Sequence, residues 1–73
     1  MPSAITLLGR LRRFPPEMRY REVEVILTAF GWKHDRTNGS HHVWVKPDRD
    51  PLVIVEHGKM VKTVDLKKID KQL

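Results

Sequence analysis

The sequence predicts an α+β domain running helix, three antiparallel strands, helix, preceded by an N-terminal extension. Three observations carry this expectation: an apolar stripe of helical period in "YREVEVILTAFGWK", a tight-turn signal "NG" between two extended runs, and apolar residues three apart in the C-terminal "DLKKID". Val23, Ile26, Leu27 and Phe30 fall at i, i+3, i+4 and i+7, one face of an amphipathic helix. Gly31 follows where a left-handed C-terminal cap would sit, and Tyr20 lies just ahead of the first turn, placed to pack against Val25. A helix is therefore expected over 21–30. It is too short to persist alone in water and must be held by packing.

The strands follow from turn chemistry. "WKHDR", "TNG" and "SHHVWVK" read as a hairpin about Asn38-Gly39, because both residues tolerate positive φ. "PDRD" supplies the next turn, and the β-branched "PLVIVEH" a third strand from Leu52 to Glu56. After the basic loop "GKMVKT", Asp65 is the expected N-cap of a short helix with Leu66, Ile69 and Leu73 on one side. Both helices have an apolar stripe to bury, and one face of the three-stranded sheet is the place available, so the other face stays open. Double-stranded-RNA-binding domains share this α-β-β-β-α architecture, an analogy that does not fix function. Upstream, the paired prolines of "FPPEMR" cannot continue a helix. They separate an extension, residues 1–18, from the domain, residues 19–73. Within the extension a short helix is expected from Ala4 to Arg13, its apolar face made of Ile5, Leu8 and Leu11 and weakened by Gly9.

Composition narrows the classes. Seventy-three residues allow one small domain, and the absence of cysteine excludes a disulfide framework or a thiolate metal cluster. No apolar run approaches the roughly 20 residues that span a bilayer. The basic residues of "MPSAITLLGRLRRF" follow the apolar ones, the reverse of a secretory signal, so a cytoplasmic protein without a membrane role is expected. Fourteen Lys and Arg against nine Asp and Glu give a net charge of +5, which draws the chain toward polyanions.

The four histidines are the chemical question. Strand alternation puts His41 on a face with Val43 and Val45, and His42 on the other with Ser40 and Trp44. The two adjacent rings thus cannot readily ligate one metal ion, and no H-x-x-x-H spacing or carboxylate cluster supports a zinc site with His34 or His57. Acid–base chemistry fits better. An imidazole with an ordinary pKa of ~6.5 exchanges a proton near neutrality. RNA cleavage needs a base for the 2′-hydroxyl proton, an acid for the departing 5′-oxygen, and cations about the phosphate. A histidine opening a strand behind Gly39 suits that task, with Lys33, Arg36, Lys46, Lys59 and Lys62 as candidates for phosphate contact. The two-valine face reads as the inner one, so His41 would have to reach out from the sheet's rim. Trp44 reads more readily as core than as a base-stacking platform. The plain alternatives are surface histidines and solvated lysines.

The layout of 19–73 resembles the HicA, or YcfA-like, toxin family of bacterial toxin–antitoxin modules. The resemblance rests on the Gly31-Trp32 step after the first helix, Gly39-Ser40-His41 opening a strand, His57-Gly58-Lys59 in a later loop, and Leu66 and Ile69 in the last helix. It implies a double-stranded-RNA-binding-like fold and a metal-independent ribonuclease acting on mRNA with no cofactor. It also implies a HicB-type antitoxin that covers the active site. The family's catalytic histidine maps to His41, with His42 the second choice, and Gly39 and Ser40 shape its loop. His57, Lys59 and the other basic residues are the implied substrate contacts. Two departures stand out: Glu56 replaces the proline common before the later histidine, and Val64-Asp65 replaces Gly-Thr at the last helix. Glu56 would either repel a phosphate or orient a histidine. Other readings of the same fold are a non-catalytic nucleic-acid-binding module and a protein-interaction domain.

Overall fold

The computed structural model describes residues 3–73, and its architecture is α+β. Its elements are α1 (Ala4–Leu11), β1 (Glu17–Arg19), α2 (Tyr20–Ala29), β2 (Lys33–Asn38), β3 (His41–Val45), β4 (Leu52–Val55), β5 (Met60–Lys62) and α3 (Thr63–Asp70). β2, β3 and β4 form an antiparallel sheet in that order, the layout of a double-stranded-RNA-binding domain, while β1 and β5 pair as a separate two-stranded ribbon. That ribbon was not foreseen from the sequence. It uses the residues after the paired prolines and the loop "GKMVKT", with Met18 opposite Val61, both buried.

α2 closes as the glycine signal requires. Phe30 caps the helix, Gly31 adopts φ 89°, the Trp32 N–H reaches the Leu27 carbonyl at 3.0 Å, and the Gly31 N–H reaches that of Thr28 at 3.1 Å. This is the paired hydrogen bonding of a Schellman cap. It swings Trp32 into the core, where it is 2% exposed. The helix begins one residue earlier than expected. Tyr20 is its first residue and stacks on His42, so its main partner is not Val25. Phe30, expected on the buried stripe, sits at the cap and stays exposed, because the chain leaves helical geometry there.

The β2–β3 turn is shifted by one residue from the Asn38-Gly39 expected. Asn38 pairs with His41, leaving Gly39-Ser40 as the two-residue loop, and only Gly39 takes positive φ (62°). That is the pattern of a type II′ hairpin, which wants glycine at its first central position. β2 is an edge strand with all six residues exposed, and its register shifts between His34 and Arg36, leaving Asp35 as a bulge.

The core joins Leu7 and Leu11 of α1, Met18, Tyr20, Val23, Ile26 and Leu27, the two tryptophans, Leu52 and Ile54 of β4, Val61, and Leu66 and Ile69 of α3. Three corrections follow. α1 buries Leu7 and Leu11 and packs Leu8 against the core, whereas Ile5 is 83% exposed, so Leu7 takes the place expected of Ile5 on its inward face. Asp65 is not an N-cap. α3 starts at Thr63 with Lys62 as cap, and the buried Asp65 carboxylate accepts the Val55 N–H at 2.9 Å, holding the helix to β4. The third strand ends at Val55, one residue short of Glu56. α1 is tied down by Arg10 to Glu22 at 2.6 Å and Arg12 to Asp70 at 3.1 Å, and the Thr63 hydroxyl donates to the Pro15 carbonyl.

Gly31→Ala should cost about 1–2 kcal/mol, because a side chain at that φ is strained even though a Cβ would meet only the Lys46 stem at 3.6 Å. A urea titration should show the lower midpoint with an unchanged slope.

Candidate functional site

Which sheet face the helices cover is decided by β3 and β4. Trp44 pairs with Leu52, and His42 with Ile54; Trp44, Leu52 and Ile54 belong to the core and His42 is 9% exposed. The inner face is therefore that of His42 and Trp44, the reverse of the expectation from the two valines. Burying an indole removes far more apolar surface from water than burying a valine, so Trp44 fixes the orientation. Val43, Val45, Val53 and Val55 lie on the face without helices, and His41, opposite Val55, is exposed there. It need not reach around the rim.

His42 is enclosed instead. Its ring stacks on Tyr20 with centroids 4.1 Å apart, Nε2 lies 2.7 Å from Glu56 Oε1, and Nδ1 lies 2.9 Å from Thr37 Oγ1. His34 Nε2 approaches the same hydroxyl at 2.8 Å. An ionised carboxylate only accepts, so His42 Nε2–H donates to Glu56. With His42 neutral, Nδ1 then accepts from Thr37, whose oxygen accepts from His34. Trp44 Nε1–H donates to the Tyr20 hydroxyl at 3.1 Å. Burial pushes the Tyr20 phenol up to about 12; the Trp44 hydrogen bond opposes this, and the charges of Glu24 and Glu56 add to it. Of the two roles open to Glu56, the geometry gives it the second: it orients a histidine, and that histidine is His42.

The register sorts the cations named from the sequence. Arg36 pairs with Val43 and Lys33 with Val45, which puts both on the face of His41. Arg36 also meets Asp35 at 2.6 Å. Glu56, just past β4, turns inward to His42, and the exposed His57 follows it, bridged to Met60 at the start of β5. Lys46 lies elsewhere, its stem beside Gly31 at the C-terminal end of α2. Lys62 is opposite Glu17 in the β1–β5 ribbon. Lys59 sits in the β4–β5 turn, on a cleft of about 670 Å³ lined also by Arg19, Tyr20, Arg21, Glu56, Gly58 and Met60. Gly39 and Ser40 form the turn that presents His41, and the Ser40 carbonyl accepts the Glu56 N–H at 2.8 Å. Sequence reasoning missed Tyr20, Thr37, Arg19 and Arg21. For Tyr20 a signal existed: an aromatic at a helix start facing a strand with an inward histidine. Among the described residues no three His, Asp or Glu side chains converge as metal ligands would.

The comparison with known families bears on this arrangement. The family model for the HicA toxin of bacterial toxin–antitoxin modules matches residues 20–73. The chain belongs to the HicA toxin family. No curated protein and no solved structure matches it. Membership makes it the toxin of a toxin–antitoxin pair and implies an antitoxin partner. The HicA match takes in Tyr20, both sheet faces and α3, and leaves α1 and β1 outside. No helix among the described residues is long and apolar enough to cross a membrane.

Two outcomes check the polar seam. Tyr20 is the one tyrosine in the chain, so phenolate absorbance should titrate near pH 12, not at the ordinary value of about 10. Because its folded pKa is raised, the phenol's contribution to stability is complete below pH ~10 and is lost as pH climbs toward 12. Glu56→Leu should destabilise the fold by about 1–3 kcal/mol in urea by leaving the buried His42 N–H unpartnered.

Proposed function

We propose that this HicA-family toxin is an endoribonuclease that cleaves mRNA by metal-independent acid–base catalysis, with His41 as the reacting imidazole. The observation that carries the reading is the exposure of His41 on the sheet face that no helix covers, beside a two-residue turn at Gly39-Ser40. His42, the second choice, is already hydrogen-bonded at both nitrogens and stacked on Tyr20, which suits holding the site and not transferring protons to substrate.

In this mechanism the 2′-oxygen attacks phosphorus and the bond to the 5′-oxygen breaks. The 2′-proton passes to a base, and an acid protonates the departing 5′-oxygen. His41 fills one of these roles, and His57, exposed in the turn after β4, contacts phosphate in this reading. Arg36 and Lys33 supply positive charge along the same face, where preorganised cations favour the charge that builds on the phosphorane. Lys59 follows on the neighbouring rim. Lys46 and Lys62, set apart from His41, have no part in this reading. mRNA as target places the action in the cytoplasm. A HicB-like antitoxin would neutralise the toxin by covering the open face, where the half-buried Val45, Val53 and Val55 sit among basic residues and suit a partner with acidic and apolar groups.

Purified protein incubated with single-stranded RNA in EDTA should cleave it, and His41→Ala should lower the rate by about 10²–10⁴. Equal cleavage by both proteins would remove His41 from the mechanism. Loss of all activity in EDTA would end the metal-free version, and binding without cleavage would favour a non-catalytic RNA-binding module.

A further inference from the structure

We propose that the cleft between the start of α2 and the β4–β5 turn is a second phosphate-binding subsite, which holds the RNA strand beside the linkage at His41. Arg19, Arg21 and Lys59 form its cationic wall, and the inference rests on the ribonuclease reading above.

Three observations converge on it. Arg19, Arg21 and Lys59 all border the same space of about 670 Å³, and among the described residues none of them forms an ion pair. Like charges around one cleft repel each other, and an anion between them relieves that repulsion. Glu56 is the one carboxylate in the lining, and it is turned to His42 at 2.7 Å.

Lys59 is also held in an unusual backbone state. It takes φ 68° after Gly58 at φ 53°, the two positive values of a type I′ hairpin turn. Hydrogen bonds hold it there: His57 N–H to the Met60 carbonyl at 2.8 Å, Met60 N–H to the His57 carbonyl at 2.9 Å, and Tyr20 N–H to the Lys59 carbonyl at 2.8 Å. The last of these fixes the turn to the first residue of α2, so Lys59 and Arg21 face one cleft from two elements locked together. Glycine or asparagine fits that second turn position more cheaply than the lysine found at the mouth of the cleft.

The ligand class follows from what the cleft lacks. Tyr20 is 8% exposed, its ring stacked on His42 and its hydroxyl taking the Trp44 N–H, so the cleft offers no open aromatic face for a base. Cations without a stacking platform read phosphate, independent of sequence. Continuity with the reaction site comes from the backbone. The Glu56 N–H bonds the Ser40 carbonyl, so the cleft and the Gly39-Ser40 turn share one rim of the sheet. A strand with one phosphate at His41 can carry a neighbouring one over that rim.

The test uses His41→Ala as an uncleaving background and a short fluorescent oligouridine as probe, with affinity measured across a salt series. Arg19→Gln, Arg21→Gln and Lys59→Gln should each weaken binding severalfold. Each should flatten the slope of log affinity against log salt by about 0.7, the share of one phosphate contact on a single strand. Arg49→Gln, which removes the same charge from the β3–β4 loop at the far end of the sheet, should leave the slope unchanged. Equal loss from Arg49→Gln would make the effect one of net charge and overturn the subsite, as would unchanged binding in all three cleft variants. These outcomes leave the His41 reading intact if wild type still cleaves. Failure of wild type to bind or cleave RNA would overturn both.

Discussion

Everything placed at the open face depends on the parity of one hairpin. The turn at Gly39-Ser40 sets Asn38 opposite His41, and from that pairing the strand alternates His41 out, His42 in, Val43 out, Trp44 in. A slip of one residue would send Trp44 to solvent and His41 into the core, since side chains change face at every step. The indole's demand for burial opposes that slip, and so does the positive φ that only glycine meets cheaply. Two adjacent histidines thereby acquire opposite environments, one free to meet a substrate and one fully engaged. The pair is less a duplicated motif than a boundary between two faces.

The inner histidine holds a polar seam across an otherwise apolar layer. His34 and Thr37 of β2, His42 of β3 and Glu56 after β4 form one continuous line under Tyr20. The seam joins the polar edge strand to the rest of the sheet and to α2 at once. Each donor finds an acceptor, which is the condition for burying such groups without loss of stability. It also fixes Glu56 away from the cleft that the same residue helps to line, so structural bonding on one side leaves the electrostatics of the other to Arg19, Arg21 and Lys59.

Where the sequence was legible, the pattern was local. Val23, Ile26 and Leu27 marked the buried face of α2, Gly31 its cap, and Leu66 and Ile69 the buried side of α3, because helical spacing and cap chemistry act within a few residues. The order of helix, three strands and helix followed from those signals and from the turn dipeptides, and the residues shared with the HicA pattern pointed to the family. What stayed hidden needed knowledge of who faces whom. The sheet's inner side was misjudged because valines alternate with larger residues and size decided the outcome. The His42–Glu56 contact spans 14 residues and the Asp65–Val55 contact 10, beyond any local pattern. The β1–β5 ribbon pairs residues more than forty apart across most of the chain, from Glu17 to Lys62. Among the site residues, His41 was legible as a type at a turn, while its exposure depended on that same unseen parity.

The N-terminal helix has a consequence for how the interior is sealed. Leu7 and Leu11 pack in one core with Leu66 and Ile69, and Arg12 is bridged to Asp70. The apolar layer of the HicA-matched region is thus closed by a segment that lies outside that match. Severing the two would bare hydrophobic surface on an otherwise charged molecule and invite it to stick to whatever apolar face it met.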